Sequence, residues 1–296
     1  MVRFECIQKI EDAQKWWSVF SPQKTICDSW EYRYCFYKLP QYKIFFWVGF
    51  VQDEPIGLLP LQYNSDKQYL EFFGGSYMED NRVFIKSGFE QYISEFYKQI
   101  QEPARLEYIS GEDAFTQSLS VLDYKYFLPL QNIQSFEEYL AKFFDGEGRG
   151  KMRRKVRKIE QNNIQIVKNK REDLEKLFEF NISNFGEDST FHLPFRTESF
   201  RELFQLPFSF TLLSFEINGK LEGVSLSLLS KGVYEYLNLG ANTEWKELRT
   251  YIHIKNIEEA LAQGAQSLNA FSSDCGWKEL FHFQKTPQYK FIWPQV

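Results

Sequence analysis

The 296-residue chain is 43% hydrophobic and 25% charged, with a formal net charge of -5. It is long enough for two domains of about 150 residues, and an acidic chain offers no basic background for a generic nucleic-acid binder. Aromatic residues make up 18% of the chain, with 30 Phe and 17 Tyr, which predicts a large aromatic core.

At the N-terminus, "MVRFECIQKIEDAQKWW" places charges where a secretory signal needs an apolar run. The longest apolar stretch, Ile44 to Val51, is far short of the ~20 residues of a membrane helix. No membrane span is expected, and the expected location is the cytoplasm. Cys6, Cys27, Cys35 and Cys275 form no C-x-x-C pair and no zinc spacing, so buried thiols in a reducing compartment and no metal are expected.

"KIFFWVGFVQDEPIGLLPLQYN" reads as two strands joined at Gln52-Asp53-Glu54-Pro55, and "QYLEFFGG" as a third. Helical spacing of Phe89, Ile93, Phe96, Tyr97 and Ile100 predicts a helix over 88–101, ending before Pro103. "RLEYIS" follows as a strand. Ser135-Phe136-Glu137-Glu138 is a capping box that opens a helix to about Phe144.

Next comes "GRGKMRRKVRKIEQNNIQIVKN", in which seven of the ten residues from Arg149 to Lys158 are Arg or Lys. Met152, Val156 and Ile159 form an apolar stripe at helical spacing, and Arg153 and Arg157 share a second face. Positive charge in the first turn opposes the helix dipole, and cations at i, i+4 repel one another. Helix stability thus does not explain the clustering. A solvated face, a phosphate-bearing substrate and a nucleic acid are the three readings of it.

A strand "IQIVKN" and a helix from about Arg171 to Asn184 follow. "FSFTLLSFEINGKLEGVSLSLLSKGVYEYLNLGAN" reads as three strands with turns at Asn218-Gly219 and Lys231-Gly232. A helix from about Thr250 ends at Gly264, and "QSLNAF" and "QYKFIWP" close the chain around a short helix near Trp277. The hairpin "FFWVGFVQDEPIGLLPL" has a counterpart in "FTLLSFEINGKLEGVSLSL", which points to an internal repeat of α/β domains, 1–130 and 131–296.

These segments resemble the double-GNAT acyltransferases, of the Fem peptidoglycan-bridge type and the CelD type associated with polysaccharide synthesis. "GKMRRKVRKIEQNNIQI" is similar to the Arg-rich helix and strand that open the second domain in that family. "INGKLEGVSLSLLSKGVYEYLNLGANTEWKELRTYIHIKN" resembles the central strands, donor loop and following helix. "NAFSSDCGWKELFHFQKTPQYKFIW" resembles the closing segment, with Trp277-Lys278 at the family's Tyr-Lys positions. Asn269 stands where the family commonly has Asp, and no Gln/Arg-x-x-Gly-x-Gly pyrophosphate loop is present.

The resemblance implies an α/β (α+β) fold of two tandem GNAT-like domains, each a mixed sheet flanked by helices. It implies acyl transfer from an acyl thioester, of the acyl-CoA type, to an amine on a small or cell-envelope-related acceptor lying in the inter-domain cleft. Gly240, Asn242 and Thr250 are the donor-loop candidates, because a loop feeding a helix N-terminus offers free N–H groups to an anion. Arg153, Arg157 and Lys158 are the candidate substrate-binding cations. Lys278, Asp274 and His192 are the catalytic candidates: Lys278 for an oxyanion, His192 as a base, with Glu187 and Asp188 on the same loop. Cys275 as a nucleophile is disfavoured, since GNAT transfer is direct attack by the amine. An aminoacyl-tRNA donor is the second reading. No heptad arm of the kind tRNA-dependent Fem enzymes often carry is present. An inactive GNAT-shaped binding protein and a nucleic-acid module are the remaining alternatives.

Overall fold

The computed structural model describes residues 2–37, 40–111, 113–273 and 276–294. They fall into two units, Met1–Tyr124 with Thr286–Val296, and Lys125–Lys285.

In the first unit, β1 (Arg3–Ile7), α1 (Ile10–Phe20) and α2 (Trp30–Tyr34) precede the predicted hairpin of β2 (Tyr42–Val51) and β3 (Glu54–Asn64). The hairpin turns at Gln52 and Asp53, both with positive φ. There follow β4 (Tyr69–Phe72), β5 (Phe84–Ile85), α3 (Ile93–Tyr97), β6 (Ala104–Ile109) and α4 (Ala114–Gln117). The helix expected over 88–101 is much shorter. Gly88 has φ +90°, Glu90–Tyr92 form a 3-10 turn, and the N–H of Gln99 bonds Phe96 O, an i−3 closure that ends α3. Trp17, Trp30, Phe46, Phe73 and Phe84 build the aromatic core of this unit.

The second unit takes β7 (Ser120–Pro129, beginning just ahead of the boundary), α5 (Phe136–Phe143), α6 (Gly146–Glu160), β8 (Ile164–Lys168), α7 (Leu174–Phe185) and α8 (Pro194–Leu203). Then come β9 (Ser209–Ile217), β10 (Lys220–Ser230), β11 (Val233–Ala241), α9 (Leu248–Ala262), β12 (Ser267–Asn269) and α10 (Trp277–Leu280). Its sheet runs β8-β9-β10-β11-β12-β7, antiparallel except for the parallel β11–β12 pair. Neighbouring residues of β11 face opposite ways. Ala241 packs with Leu248, Tyr251 and Ile252 of α9, whereas a Cβ on Gly240 would meet α7. Helices therefore cover both faces.

The last strand, β13 (Gln284–Trp293), pairs with β6 and completes the first sheet, β1-β2-β3-β4-β6-β13. This sheet too is antiparallel except for one parallel pair, β4–β6. The two units thus repeat one pattern of pairings, as the paired hairpin segments imply. The division expected at 130/131 is corrected at the chain's end: 286–296 belongs with the first unit, because a strand's place is fixed by the edge it pairs with, not by its position in sequence.

Helix α6 begins earlier than the charge run. Asp145 caps it, its side chain accepting from Gly148 N at 2.7 Å, and Glu147 lies in the first turn. The cations therefore occupy the middle and last turns, and Arg157 and Lys158 sit where the dipole favours them. The expected conflict with the dipole does not arise. Met152 and Ile159 are buried and Val156 half-buried, as the stripe predicts.

Candidate functional site

Strands β11 and β12 stay together only from Val233↔Ser267 to Glu235↔Asn269. There β12 ends while β11 continues to Ala241, so the sheet opens into a fork. An extra residue, Leu237, bulges from β11 where the strands part, since Leu226 opposes Asn238 but Ser227 opposes Tyr236. Glu235, 2% exposed, lies at the crotch and accepts from Asn269 Nδ2 at 2.6 Å.

On the α9 side of the fork, Tyr236 OH meets His253 Nδ1 at 3.2 Å. His253 is stacked on Trp277 and packed against Phe281. Burial, with Arg249 and Lys278 nearby, pushes its imidazole down to about 3, so it is neutral. One turn further on, Asn256 satisfies a buried network: Nδ2 donates to Ser225 Oγ and Ile252 O, and Oδ1 accepts from Ser227 and Tyr234 hydroxyls. This network locks α9 to the sheet.

The start of α9 is the second feature. Leu248 N bonds Trp245 O and Tyr251 N bonds Glu247 O, while among the described residues nothing accepts from the N–H groups of Arg249 and Thr250. Glu247, at the N-cap, faces Lys155 Nζ at 3.5 Å and Lys158 Nζ at 3.9 Å from α6. The basic helix and the open N-terminus of α9 thus meet, and Arg249 adds a cation whose guanidinium sits 5.8 Å from the Phe185 ring centre.

The candidates read from sequence separate into groups. Thr250 lies in the first turn of α9, and Lys158 reaches that helix's N-cap residue, Glu247. Gly240 and Asn242 have structural tasks. A Cβ on Gly240 would lie 2.7 Å from Leu177 O and Phe180 Cβ, so the close approach expected there is to α7. Asn242 Nδ2 donates to Glu222 at 2.7 Å, and its Oδ1 accepts from Glu244 N, which shapes the turn into α9. Arg153 is paired with Glu137 of α5, and Arg157 is exposed with no partner among the described residues. Lys278 is buried; its Nζ donates to Phe271 O at 3.0 Å and Ser272 O at 2.6 Å. His192 is exposed on the α7–α8 connection, and its ring has no hydrogen bond among the described residues. Asp274 and Cys275 lie outside the described residues. Sequence reasoning missed Glu235, His253 and Glu247, whose significance comes from partners distant along the chain.

A family model described as an acetyltransferase (GNAT) domain matches residues 146–279, the span from the start of α6 through the fork to α10. The chain also superposes on solved structures over nearly its whole length. The crystal structure of FemX matches at TM-score 0.63 and 10% identity, covering 97% of each chain. At this identity the likeness is one of fold. A tandem GNAT protein from the clavulanic acid biosynthesis pathway matches this chain at TM-score 0.56 and 11% identity, over 99% of this chain and 98% of that one. L-PGS from Bacillus licheniformis gives TM-score 0.57 and 11% identity, over 96% and 91%. No curated protein matches the sequence. Among the described residues no helix is long and apolar enough to cross a membrane, and no cluster of potential metal ligands occurs.

Proposed function

We propose that the second unit is an N-acyltransferase that moves an acyl group from an acyl thioester, of the acyl-CoA type, to an amine on a small or cell-envelope-related acceptor. The observation that carries this is the fork of β11 and β12 lying next to an α9 start with unpaired N–H groups. The N–H groups of Arg249 and Thr250, with Lys155, Lys158 and Arg249, would hold the donor's phosphates. The thioester would lie along β11 where β12 departs. The amine attacks its carbonyl carbon, the thiolate leaves, and the ammonium proton passes to Glu235, the carboxylate at the crotch. No covalent enzyme intermediate is needed. His253, kept neutral, serves the packing of the fork and relays no proton.

Arg157, exposed and unpartnered, favours a polyanionic donor such as an aminoacyl-tRNA as the second reading. A thermal-shift series with CoA, acyl-CoAs, nucleotide sugars and tRNA separates the two, because a selective ligand raises the melting temperature by mass action. Hydrogen exchange then locates the site: CoA should protect the amides of 249–251. Unchanged exchange there at saturating CoA rejects a CoA donor.

A further inference from the structure

The first unit has a fork of its own, and it is closed. Parallel β4 and β6 pair only at Leu70↔Ala104. Beyond that point Asn81 replaces β4 beside β6: it bridges Ile109, its N–H bonds Tyr108 O, and its carbonyl accepts from Ser110 N. The filled fork leaves about 10 Å³ for the centre of a water-sized group, in a pocket lined by Glu71, Gly75, Asn81, Arg105 and Glu107 among others.

Two acceptors in that lining lack donors. Asn81 is 2% exposed; its Nδ2 is committed to Met78 O and Glu107 O, both at 2.8 Å, so the amide orientation is fixed. Its Oδ1 is buried without a hydrogen bond. Glu71 is 5% exposed, and one of its oxygens, Oε1, accepts from both Gln62 Nε2 and Asn64 Nδ2. The other oxygen accepts from no described residue. The nearby cation does not supply the missing charge, because Arg105 bonds Glu107 at 2.7 Å. A buried amide oxygen without a donor, in one small pocket with a carboxylate that has an oxygen to spare, favours the entry of a donor of positive charge.

We infer that this pocket is a binding site for a primary ammonium head, either a small free amine or the end of an amine-bearing side chain. An ammonium group is the size of a water molecule, carries the charge that Glu71 lacks, and has donors for both Glu71 Oε2 and Asn81 Oδ1. A water would satisfy the hydrogen bonds but not the charge. Bulkier quaternary ammonium ions would neither fit nor donate.

The test uses the full-length protein with Asn side chains labelled in ¹⁵N, the Asn81 signal being identified by its loss in Asn81→Ala. Methylammonium chloride, Nα-acetyllysine amide, tetramethylammonium chloride, sodium chloride and potassium chloride are titrated at matched ionic strength. The expected result is a saturable shift of the Asn81 amide with methylammonium or the lysine derivative, absent with the other three salts. Which of the two binds tells a free amine from a tethered one. Glu71→Gln, which keeps Oε1 as acceptor but puts a donor in place of Oε2, should weaken that binding at least ~10-fold. Equal shifts with tetramethylammonium or the alkali salts, no shift at all, or unchanged affinity in Glu71→Gln would overturn the assignment. If Glu71→Gln does not fold, the discrimination among salts by the unmutated protein decides.

Discussion

The imidazole of His253 lies flat on the indole of Trp277, ring centroids 3.8 Å apart and planes 9° from parallel. Burial holds this histidine near 3, against an ordinary value of 6.5. Its folded pKa is depressed, so between those values the unfolded chain binds a proton that the native chain does not. The stabilising contribution is complete above 6.5 and is lost as pH falls below it, by about 2 kcal/mol at pH 5. Urea titrations at pH 7 and pH 5 should show that loss in the parent protein, and it should be smaller by that amount in His253→Phe. Equal acid sensitivity of the two proteins would refute it.

Gly240 tests packing against donor binding. Its added Cβ would press on Leu177 O and Phe180 Cβ at 2.7 Å and on Asn181 N at 3.0 Å, all on α7. Backbone on one side leaves little room to yield, so Gly240→Ala should destabilise the second unit by about 1–3 kcal/mol. The affinity of the remaining folded protein for CoA should be unchanged. A stable Gly240→Ala variant with impaired binding would restore the glycine to the donor site.

Local chemistry made much of the second unit legible. The turns at Asn218-Gly219 and Lys231-Gly232 have the positive φ values expected of tight hairpins, and Gly264, at φ +71°, follows α9 as predicted. Ser135 caps α5 through Glu138 N, although Glu138 reaches back to Gln134 N and not to the cap residue itself. The start of α6 was hidden because Gly146, Gly148 and Gly150 each weaken a helix by about 1 kcal/mol, and only the Asp145 cap and tertiary packing override that. The fork could not be read at all. It depends on where β12 stops relative to β11, and Glu235 and Asn269 are brought together only by that pairing.

Lys278 was expected to hold a substrate or an oxyanion, and its environment gives it another task. The ammonium is 3% exposed, donates to two consecutive carbonyls and lies 4.8 Å from the Tyr126 ring centre. Hydrogen bonds to a charged group contribute about 1.5–3 kcal/mol, so Lys278→Met should lower stability by about that much. Turnover per folded molecule should stay within a few-fold of the parent. A stable variant with turnover reduced 100-fold would instead make Lys278 catalytic.

Glu247 offers a prediction in the opposite direction, a gain of binding. It sits at the N-cap of α9, between the open N–H groups and the lysines of α6 that would receive a donor phosphate. A phosphate arriving there must compete with the carboxylate for Lys155 and Lys158, and the two anions repel. Glu247→Gln removes the repulsion, frees both ammonium groups and leaves the backbone of α9 in place. At an effective dielectric of about 20 to 80 the repulsion is on the order of 1 kcal/mol, so CoA should bind about 5-fold more tightly at low salt. Screening shortens the reach of these charges to about 8 Å at 0.15 M salt, so the gain should shrink steadily as salt is added. Calorimetric titration of CoA into both proteins at 20 mM and 200 mM salt, chosen to be roughly two Debye regimes apart, measures it. Tighter binding that fades with salt places the phosphates at the start of α9. Unchanged or weaker binding in Glu247→Gln at low salt moves them elsewhere.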